Sequence, residues 1–246
     1  MTALFPRFGQ IALLLFFVFS TTTVTAATYT VGGEGADYPT LEALRTSSRL
    51  QDGDTIVLNG DDNSLTTEFY SDNFIFQGTG KISPAPSGNR LVNGTLTLDS
   101  DSLEFTGFRG YSGGVARATT NITGGTNTFT GNSAGLYGGA IYGITTISGG
   151  TNTFVGNSSA SYGGAIYGDT IITGGTNIFS DNNCNTNGSG IRGGAAILAD
   201  SIDITGGTNT FSNNSSLYYA NTYDGTPSSW GSVGHFPQHI PLFPVE

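Results

Sequence analysis

A short motif recurs four times in the second half of the chain, and its spacing restricts the folds that are possible. The motif Gly-Gly-Thr-Asn-x-Phe ends at Phe129, Phe154, Phe179 and Phe211, which are separated by 25, 25 and 32 residues. Asn follows each Phe after three positions, and a Gly-Gly-Ala triplet lies between successive Phe residues. A degenerate earlier copy begins at Phe105. Self-similarity at this period is typical of a solenoid or a propeller.

The composition of each unit favours strands over helices. Gly, Thr, Asn and β-branched residues dominate, and these residues are poor helix formers. Strand alternation places Thr126 and Thr128 on one face, with Asn127 and Phe129 on the other. A unit of about 25 residues then holds three short strands with Gly and Asn at the corners. We therefore predict an all-β fold in which each unit is one coil of a parallel β-helix.

Stacked coils lie about 4.8 Å apart, so equivalent residues should form columns along the solenoid axis. We expect the Phe residues, and Ile122 with its equivalents, to fill the interior. The Asn residues should form an amide ladder at one corner, and the Gly pairs should allow corners with positive φ. We interpret these motif residues mainly as core and corners. They are Phe129, Asn132, Gly138, Gly139, Ala140, Phe154, Asn157, Gly163, Gly164, Ala165, Phe179, Asn182, Gly193, Gly194, Ala195, Phe211 and Asn214.

The third unit is seven residues longer than its predecessors, which predicts a loop at a corner. Five of the extra residues fall within Asp181 to Gly190, a polar Asn, Gly and Ser segment. Insertions in solenoids often lie on a binding face. The lone Cys184 falls in this segment and has no partner for an internal disulfide. We expect it to be solvent-exposed, with an intermolecular crosslink as the alternative.

Phe-x-x-Asn paired with Gly-Gly-Ala-Ile resembles the repeats of the chlamydial polymorphic outer-membrane proteins, an autotransporter family. Four Phe-x-x-Asn and three Gly-Gly-Ala motifs alternate in the family's order up to Asn214, although Phe105-Thr106-Gly107-Phe108 lacks the Asn. The resemblance implies a right-handed parallel β-helix passenger that is associated with the bacterial outer membrane. It also implies adhesion to host cells in which both motifs take part.

Residues 1–27 have the features of a secretory signal peptide. Arg7 is the only charged residue, and the apolar run Ile11 to Phe19 is too short to span a bilayer. Val24-Thr25-Ala26 offers a small-residue cleavage site. An N-terminal membrane anchor is the alternative. No later segment is apolar enough for a transmembrane helix, so we predict a secreted or cell-surface protein with no transmembrane segment in the mature chain.

The segment from Thr28 to Gly60 resembles the opening of right-handed β-helix proteins such as pectin methylesterases. A strand at Tyr29 is followed by a short helix over Glu42 to Leu50 and by a buried strand after Gly53. The resemblance implies a helix that caps the first coil. We therefore divide the chain into the signal peptide (1–27), an N-terminal cap with irregular early coils (28–104), the repeat β-helix (105–216) and an irregular aromatic and proline-rich tail (217–246).

Charge and residue chemistry exclude several function classes. The formal net charge of −10 argues against nucleic acid as a partner. The acids of the repeats recur in no common register, and Arg192 is the only base beyond Thr120. His235 and His239 lack the helical pattern of a metal site. We predict no catalytic residue, no cofactor and no metal. The alternatives are a carbohydrate-active, pectin lyase-like enzyme and an ice-binding solenoid, the latter because Thr126 and Thr128 recur as an outward ladder.

Two tyrosines are the candidate surface contacts. Tyr142 and Tyr167 each follow a Gly-Gly-Ala-Ile sequence, so they should stack on one outer face. Tyr supplies a large contact area at low entropic cost. We predict an adhesin-like or structural module whose partner is a cell-surface protein or glycan.

Overall fold

The computed structural model describes residues 25–86, 90–185 and 194–216. Most of the predicted signal peptide and the whole of the tail 217–246 lie outside the described residues. So do Gly193 of the third Gly-Gly-Ala triplet, Arg192, His235 and His239, and residues 186–190 of the predicted loop.

The described chain is almost entirely β-strand, with one short helix, α1 (Leu41–Thr46). Its strands stack in parallel as a β-solenoid of about six turns, which confirms the predicted fold class. The strands are β1 (Thr28–Val31), β2 (Thr55–Asn59), β3 (Phe69–Ile82), β4 (Val92–Thr106), β5 (Arg109–Ser112), β6 (Ala116–Arg117), β7 (Thr120–Thr130), β8 (Ser133–Tyr137), β9 (Ile141–Tyr142), β10 (Thr145–Ile147), β11 (Thr151–Val155), β12 (Ser158–Ser159), β13 (Ile166–Tyr167), β14 (Thr170–Ile172), β15 (Thr176–Ser180), β16 (Asn183–Cys184), β17 (Ile197–Leu198), β18 (Ile202–Ile204), β19 (Thr208–Ser212) and β20 (Ser215–Ser216).

The predicted coil register is confirmed at the Phe motif. Strands β7, β11, β15 and β19 pair in parallel, so that each motif residue lies beside its equivalent one repeat away. A complete coil nevertheless contains four strands, as β10 to β13 illustrate, where the sequence predicted three. The extra break arises because Gly150, with a φ of 79°, bends the chain between β10 and β11.

The interior is filled by columns of apolar side chains. The rings of Phe129, Phe154 and Phe179 are fully buried and nearly parallel, with centroids 4.5 and 4.7 Å apart. Ile122 and Ile147 are fully buried in a second column, next to their equivalents on adjacent coils. Because each coil buries its apolar face only against its neighbours, stacking supplies most of the favourable free energy of folding.

Two ladders of buried Asn side chains run beside the Phe column. The predicted corner ladder joins Asn132, Asn157, Asn182 and Asn214 through amide-to-amide hydrogen bonds of 2.9–3.1 Å. A second ladder, which we did not predict, joins Asn127, Asn152, Asn177 and Asn209 at 2.8–3.0 Å. In both ladders the side-chain amides also donate to backbone carbonyls, so groups that the corners would leave unpaired are satisfied.

The Gly-Gly corners bring the backbones of adjacent coils into close contact. A Cβ at Gly139 would lie 2.2 Å from the carbonyl oxygen of Gly164, a distance that no side chain permits. The third triplet differs from its predicted alignment. Ile166 pairs with Ile197, so Gly163 is matched by Gly194 rather than by Gly193, and Ala195 takes the position of Gly164. The sequence register was wrong by one residue here because the triplet Gly193-Gly194-Ala195 repeats the motif one position early.

The expectation that Cys184 is solvent-exposed is wrong. Asn183 pairs with Ser158, and Cys184 pairs with Ser159, so the regular coil continues through both residues. Cys184 is fully buried, and its burial raises the pKa of the thiol. The extra residues therefore begin after Asn185 rather than at Asp181. The intermolecular crosslink is also unsupported, since a buried thiol is inaccessible to a second chain.

Helix α1 packs against the first coil of the solenoid. Leu41 and Leu44 are fully buried in the common apolar core. The Thr40 side chain accepts a hydrogen bond from the amide of Ala43, and Asp62 Oδ2 accepts one from the amide of Leu41. These acceptors satisfy free amides at the start of the helix and fix it to the coil below.

The ion pair on α1 predicts a pH-dependent stability. The Arg45 guanidinium, with help from the amide and hydroxyl of Thr66, lowers the pKa of Glu42 from 4.5 to about 2. A carboxyl whose pKa is lowered on folding stabilises the fold above its unfolded pKa, and that contribution disappears as the pH falls towards 2. Because the pair is about a quarter exposed, we expect a loss of at most about 1 kcal/mol.

The measurement is urea unfolding between pH 7 and pH 2.5. Glu42→Gln should remove this part of the pH dependence, whereas Glu34→Gln, at an exposed position, should leave it unchanged. If Glu42→Gln retains the full pH dependence of the wild-type chain, then Glu42 does not contribute to it.

Candidate functional site

Four tyrosines form a cluster on the outside of two adjacent coils, which we call the tyrosine face: Tyr137, Tyr142, Tyr162 and Tyr167. The rings of Tyr142 and Tyr167 are parallel, with centroids 5.6 Å apart. Tyr137 and Tyr162 stack at 5.0 Å, and Tyr137 lies 4.9 Å from Tyr167. All four side chains are only partly buried. The face therefore presents aromatic surface in a fixed arrangement that a ligand can contact.

A concavity of about 590 Å³ lies beside the tyrosine face and runs across successive coils. Small residues form its floor, where the chain bends between β9 and β10 and between β13 and β14. Gly143 and Gly168 have φ values of 140° and 133° at these bends. A Cβ at Gly143 would lie 2.2 Å from the carbonyl oxygen of Ala118, so the bend requires glycine. The remaining floor residues are Ala118 and Ala199.

The concavity has an apolar centre and oppositely charged ends. Arg117 pairs with Tyr142 in the register of the solenoid and lies at one end. Asp169 and Asp200 lie towards the other end, where Asp169 Oδ1 accepts a hydrogen bond from the amide of Ser201. Ile144 lines the centre and is 51% exposed. Burial raises the pKa of Tyr167, and the charge of nearby Asp200 contributes to this shift. Tyr167 is therefore a neutral hydrogen-bonding group at physiological pH.

The structure separates the predicted site residues into two groups. Tyr142 and Tyr167 are stacked on an outer face, as the spacing predicted. The described Phe, Gly and Ala motif residues are buried, as are Asn132, Asn157 and Asn182, while Asn214 is partly exposed on the last described coil. The buried motif residues position the outer face, but they present no side chain that a ligand could reach.

The outward Thr row lies on a different strand from the tyrosine face. Thr126, Thr151, Thr176 and Thr208 pair in register and are exposed. Ile178 interrupts the neighbouring row, where Thr128, Thr153 and Thr210 are its equivalents. The Thr row is thus an ordered polar surface beside which the tyrosine face offers more aromatic contact area.

The sequence reasoning missed Tyr137 and Tyr162 as members of the cluster. They are separated by the same 25 residues as Tyr142 and Tyr167, and a β-bridge joins them. This spacing was the available signal. The reasoning also treated Asp169 and Asp200 as unrelated acids because their separation of 31 residues differs from the regular period. The structure places both in the concavity.

Two searches of the described residues bear on membrane and metal chemistry. Within residues 25–86, 90–185 and 194–216, no helix has the length and apolar character needed to cross a membrane. The same ranges hold no group of three or more His, Cys, Asp or Glu side chains that could bind a metal ion.

Comparison with known proteins identifies the repeat. The family model of the Chlamydia polymorphic membrane protein repeat matches residues 128–144 and 153–169. These two matches contain Tyr137, Tyr142, Tyr162 and Tyr167, so the tyrosine face lies entirely within them. No curated protein and no solved structure matched the chain. The chain therefore carries repeats of the Chlamydia polymorphic membrane protein type, built into a parallel β-solenoid.

Proposed function

We propose that this chain is a secreted or surface-displayed β-solenoid that binds a ligand on the surface of another cell. The repeat family, which consists of non-enzymatic surface proteins associated with the outer membrane in Chlamydia, supports the surface assignment. The single observation that carries the binding function is the tyrosine face. Four aromatic side chains lie beside an open concavity on a rigid scaffold, an arrangement suited to recognition.

The scaffold explains how modest contacts could give useful adhesion. The interior columns and Asn ladders fix the backbone of each coil, so little entropy is lost when the face binds. Equivalent tyrosines recur on successive coils. Display of many copies on a surface would add avidity to each weak contact.

Removal of two rings from the tyrosine face tests this proposal. Tyr142→Ala combined with Tyr167→Ala should reduce binding of the full-length chain to cultured eukaryotic cells and to printed glycans. Because central aromatic residues commonly contribute more than 1 kcal/mol each, we expect a loss of about tenfold or more. Circular dichroism should remain unchanged, since both side chains lie outside the core.

Two controls locate the effect. Tyr70→Ala combined with Tyr111→Ala removes two tyrosines that are 65% and 70% exposed outside the cluster, and should leave binding intact. Deletion of residues 186–190 tests the insertion as a binding element. The deletion stops short of Asn182 and Cys184 because both are buried. If only this deletion abolishes binding, the insertion is the site. If the wild-type chain binds neither cells nor glycans, the adhesin proposal is wrong and a structural role remains.

A further inference from the structure

The concavity beside the tyrosine face has a polarity that restricts the chemistry of its ligand. Among the residues that the structure describes, neither Arg117 nor Asp200 takes part in an ion pair. Arg117 is exposed at one end, and Asp169 and Asp200 are exposed at the other. Between them lie the rings of Tyr142 and Tyr167 and the exposed side chain of Ile144. Opposite charges thus flank an apolar and aromatic centre.

The length of the concavity follows from the register of the coils. Arg117, Tyr142, Tyr167 and Leu198 are paired on four successive coils. Three steps between neighbouring strands span about 14 Å along the axis, and an extended polypeptide covers that distance in about four residues. The charged ends are therefore separated by the length of a short extended peptide.

The floor of the concavity determines how such a peptide could be recognised. The amide of Gly143 donates to the carbonyl of Tyr167, and the amide of Gly168 donates to the carbonyl of Leu198. These backbone groups already pair between coils, so they are unavailable to add a strand. Recognition must come from the side chains of the walls and ends. The small floor residues allow a ligand backbone to approach them closely.

We propose that the concavity binds an extended segment of a partner protein, with an acidic side chain at Arg117, apolar or aromatic side chains at the centre, and a basic side chain at Asp169 and Asp200. This inference rests on the proposed surface-binding function and adds the class of ligand. Charge complementarity favours a peptide over the two glycan classes. A neutral glycan would leave the charged ends unpaired, and an acidic glycan would be repelled by the two carboxylates.

An array of short peptides tests the spacing of the charges. Each peptide carries one Glu and one Arg, separated by zero, one, three or five Tyr, Val or Thr residues. Matched peptides carry two Glu or two Arg residues at the same positions. The full-length chain should prefer the Glu and Arg peptide with three intervening residues. We expect a preference of about fivefold over the like-charged peptides, as for two exposed charge pairs.

Charge reversal in the concavity should change this preference in a defined direction. Arg117→Glu makes both ends acidic, so the variant should select the peptide with two Arg residues. Asp169→Asn combined with Asp200→Lys makes the ends basic, so this variant should select the peptide with two Glu residues. Asn retains an oxygen that can accept the hydrogen bond from the Ser201 amide. Arg109→Glu and Asp203→Lys change exposed charges outside the concavity and should leave the preference unchanged.

The outcomes separate this inference from the proposed function. Equal binding to all peptides, or a preference unaffected by charge reversal, would contradict the peptide inference. Binding that survives protease treatment of the cells and is lost after periodate oxidation of their glycans would contradict it too, and would leave the surface-binding proposal intact. Selection of the matched peptide by a chain that binds no cell would support the peptide inference and contradict the adhesin proposal.

Discussion

Phe154→Ala should destabilise the solenoid by about 3–5 kcal/mol, the cost that is typical of removing an aromatic ring from a packed core. Phe154 is fully buried between the rings of Phe129 and Phe179, with centroids 4.5 and 4.7 Å away. The substitution removes both stacking contacts and leaves a cavity. The adjacent coils cannot easily close it, because hydrogen bonds along β7, β11 and β15 fix their spacing.

The effect should be local before it is global. In a solenoid each coil contacts mainly its neighbours, so amide protection should fall first in β7, β11 and β15. Hydrogen exchange of the full-length chain measures this distribution, and urea unfolding measures the total loss. Thr153→Ala, on the outward face of the same strand, should change stability by less than about 0.5 kcal/mol. A loss below 1 kcal/mol for Phe154→Ala would show that the Phe column contributes little.

Most of the solenoid could be predicted because its period is visible in the sequence. Once Phe129 and Phe154 are aligned, strand alternation determines that Asn127 faces inward and Thr126 faces outward. The sequence could not determine where the extra residues of the third unit enter. The Gly-Gly-Ala motif offered one register, but the contacts of Gly164 with the backbone of Ala195 require another. Register at a corner depends on backbone approach, which a motif does not encode.

The candidate site was harder to predict than the fold because it combines residues from different parts of successive coils. Tyr137 belongs to β8 and Tyr142 to β9, yet their ring centroids lie 5.5 Å apart because the chain turns at Gly138. Asp200 entered the concavity only because the inserted residues preceded β17. Column arguments find residues that are related by the repeat. They do not find neighbours across a corner or an irregular coil.

The corner Asn ladder gives a second prediction with a large effect. The Asn157 side chain accepts hydrogen bonds from the backbone amide and the side-chain amide of Asn132, and donates to the carbonyl of Phe129 and to Asn182 Oδ1. Asn157→Ala would leave three of these buried groups without their partner: the two amides of Asn132 and the carbonyl of Phe129. An unpaired buried polar group costs about 1–3 kcal/mol, so we expect a total loss of about 3–5 kcal/mol.

Asn157→Asp distinguishes hydrogen bonding from packing, because Asp has nearly the same shape as Asn. The substitution replaces the donating amide with an oxygen that faces two acceptors, the Phe129 carbonyl and Asn182 Oδ1. Burial among these acceptors favours the protonated carboxyl, so the folded chain should bind a proton more tightly than the unfolded chain does. The stability deficit should therefore be smaller at pH 3 than at pH 7, and should grow as the pH rises above about 4, the unfolded pKa of Asp.

Urea unfolding at both pH values measures this difference against the wild-type chain at the same pH. Asn121→Asp, at a partly exposed position on β7, is the matched control and should show no such difference. If Asn157→Ala and Asn157→Asp are both destabilised equally at pH 3 and pH 7, the ladder acts through packing alone. If Asn157→Asp recovers stability at low pH, the ladder stabilises the corner by donating a hydrogen at this position. In that case the Phe-x-x-Asn motif is explained by the backbone groups that its Asn satisfies, and the tyrosine face remains the part of the repeat that is free to bind.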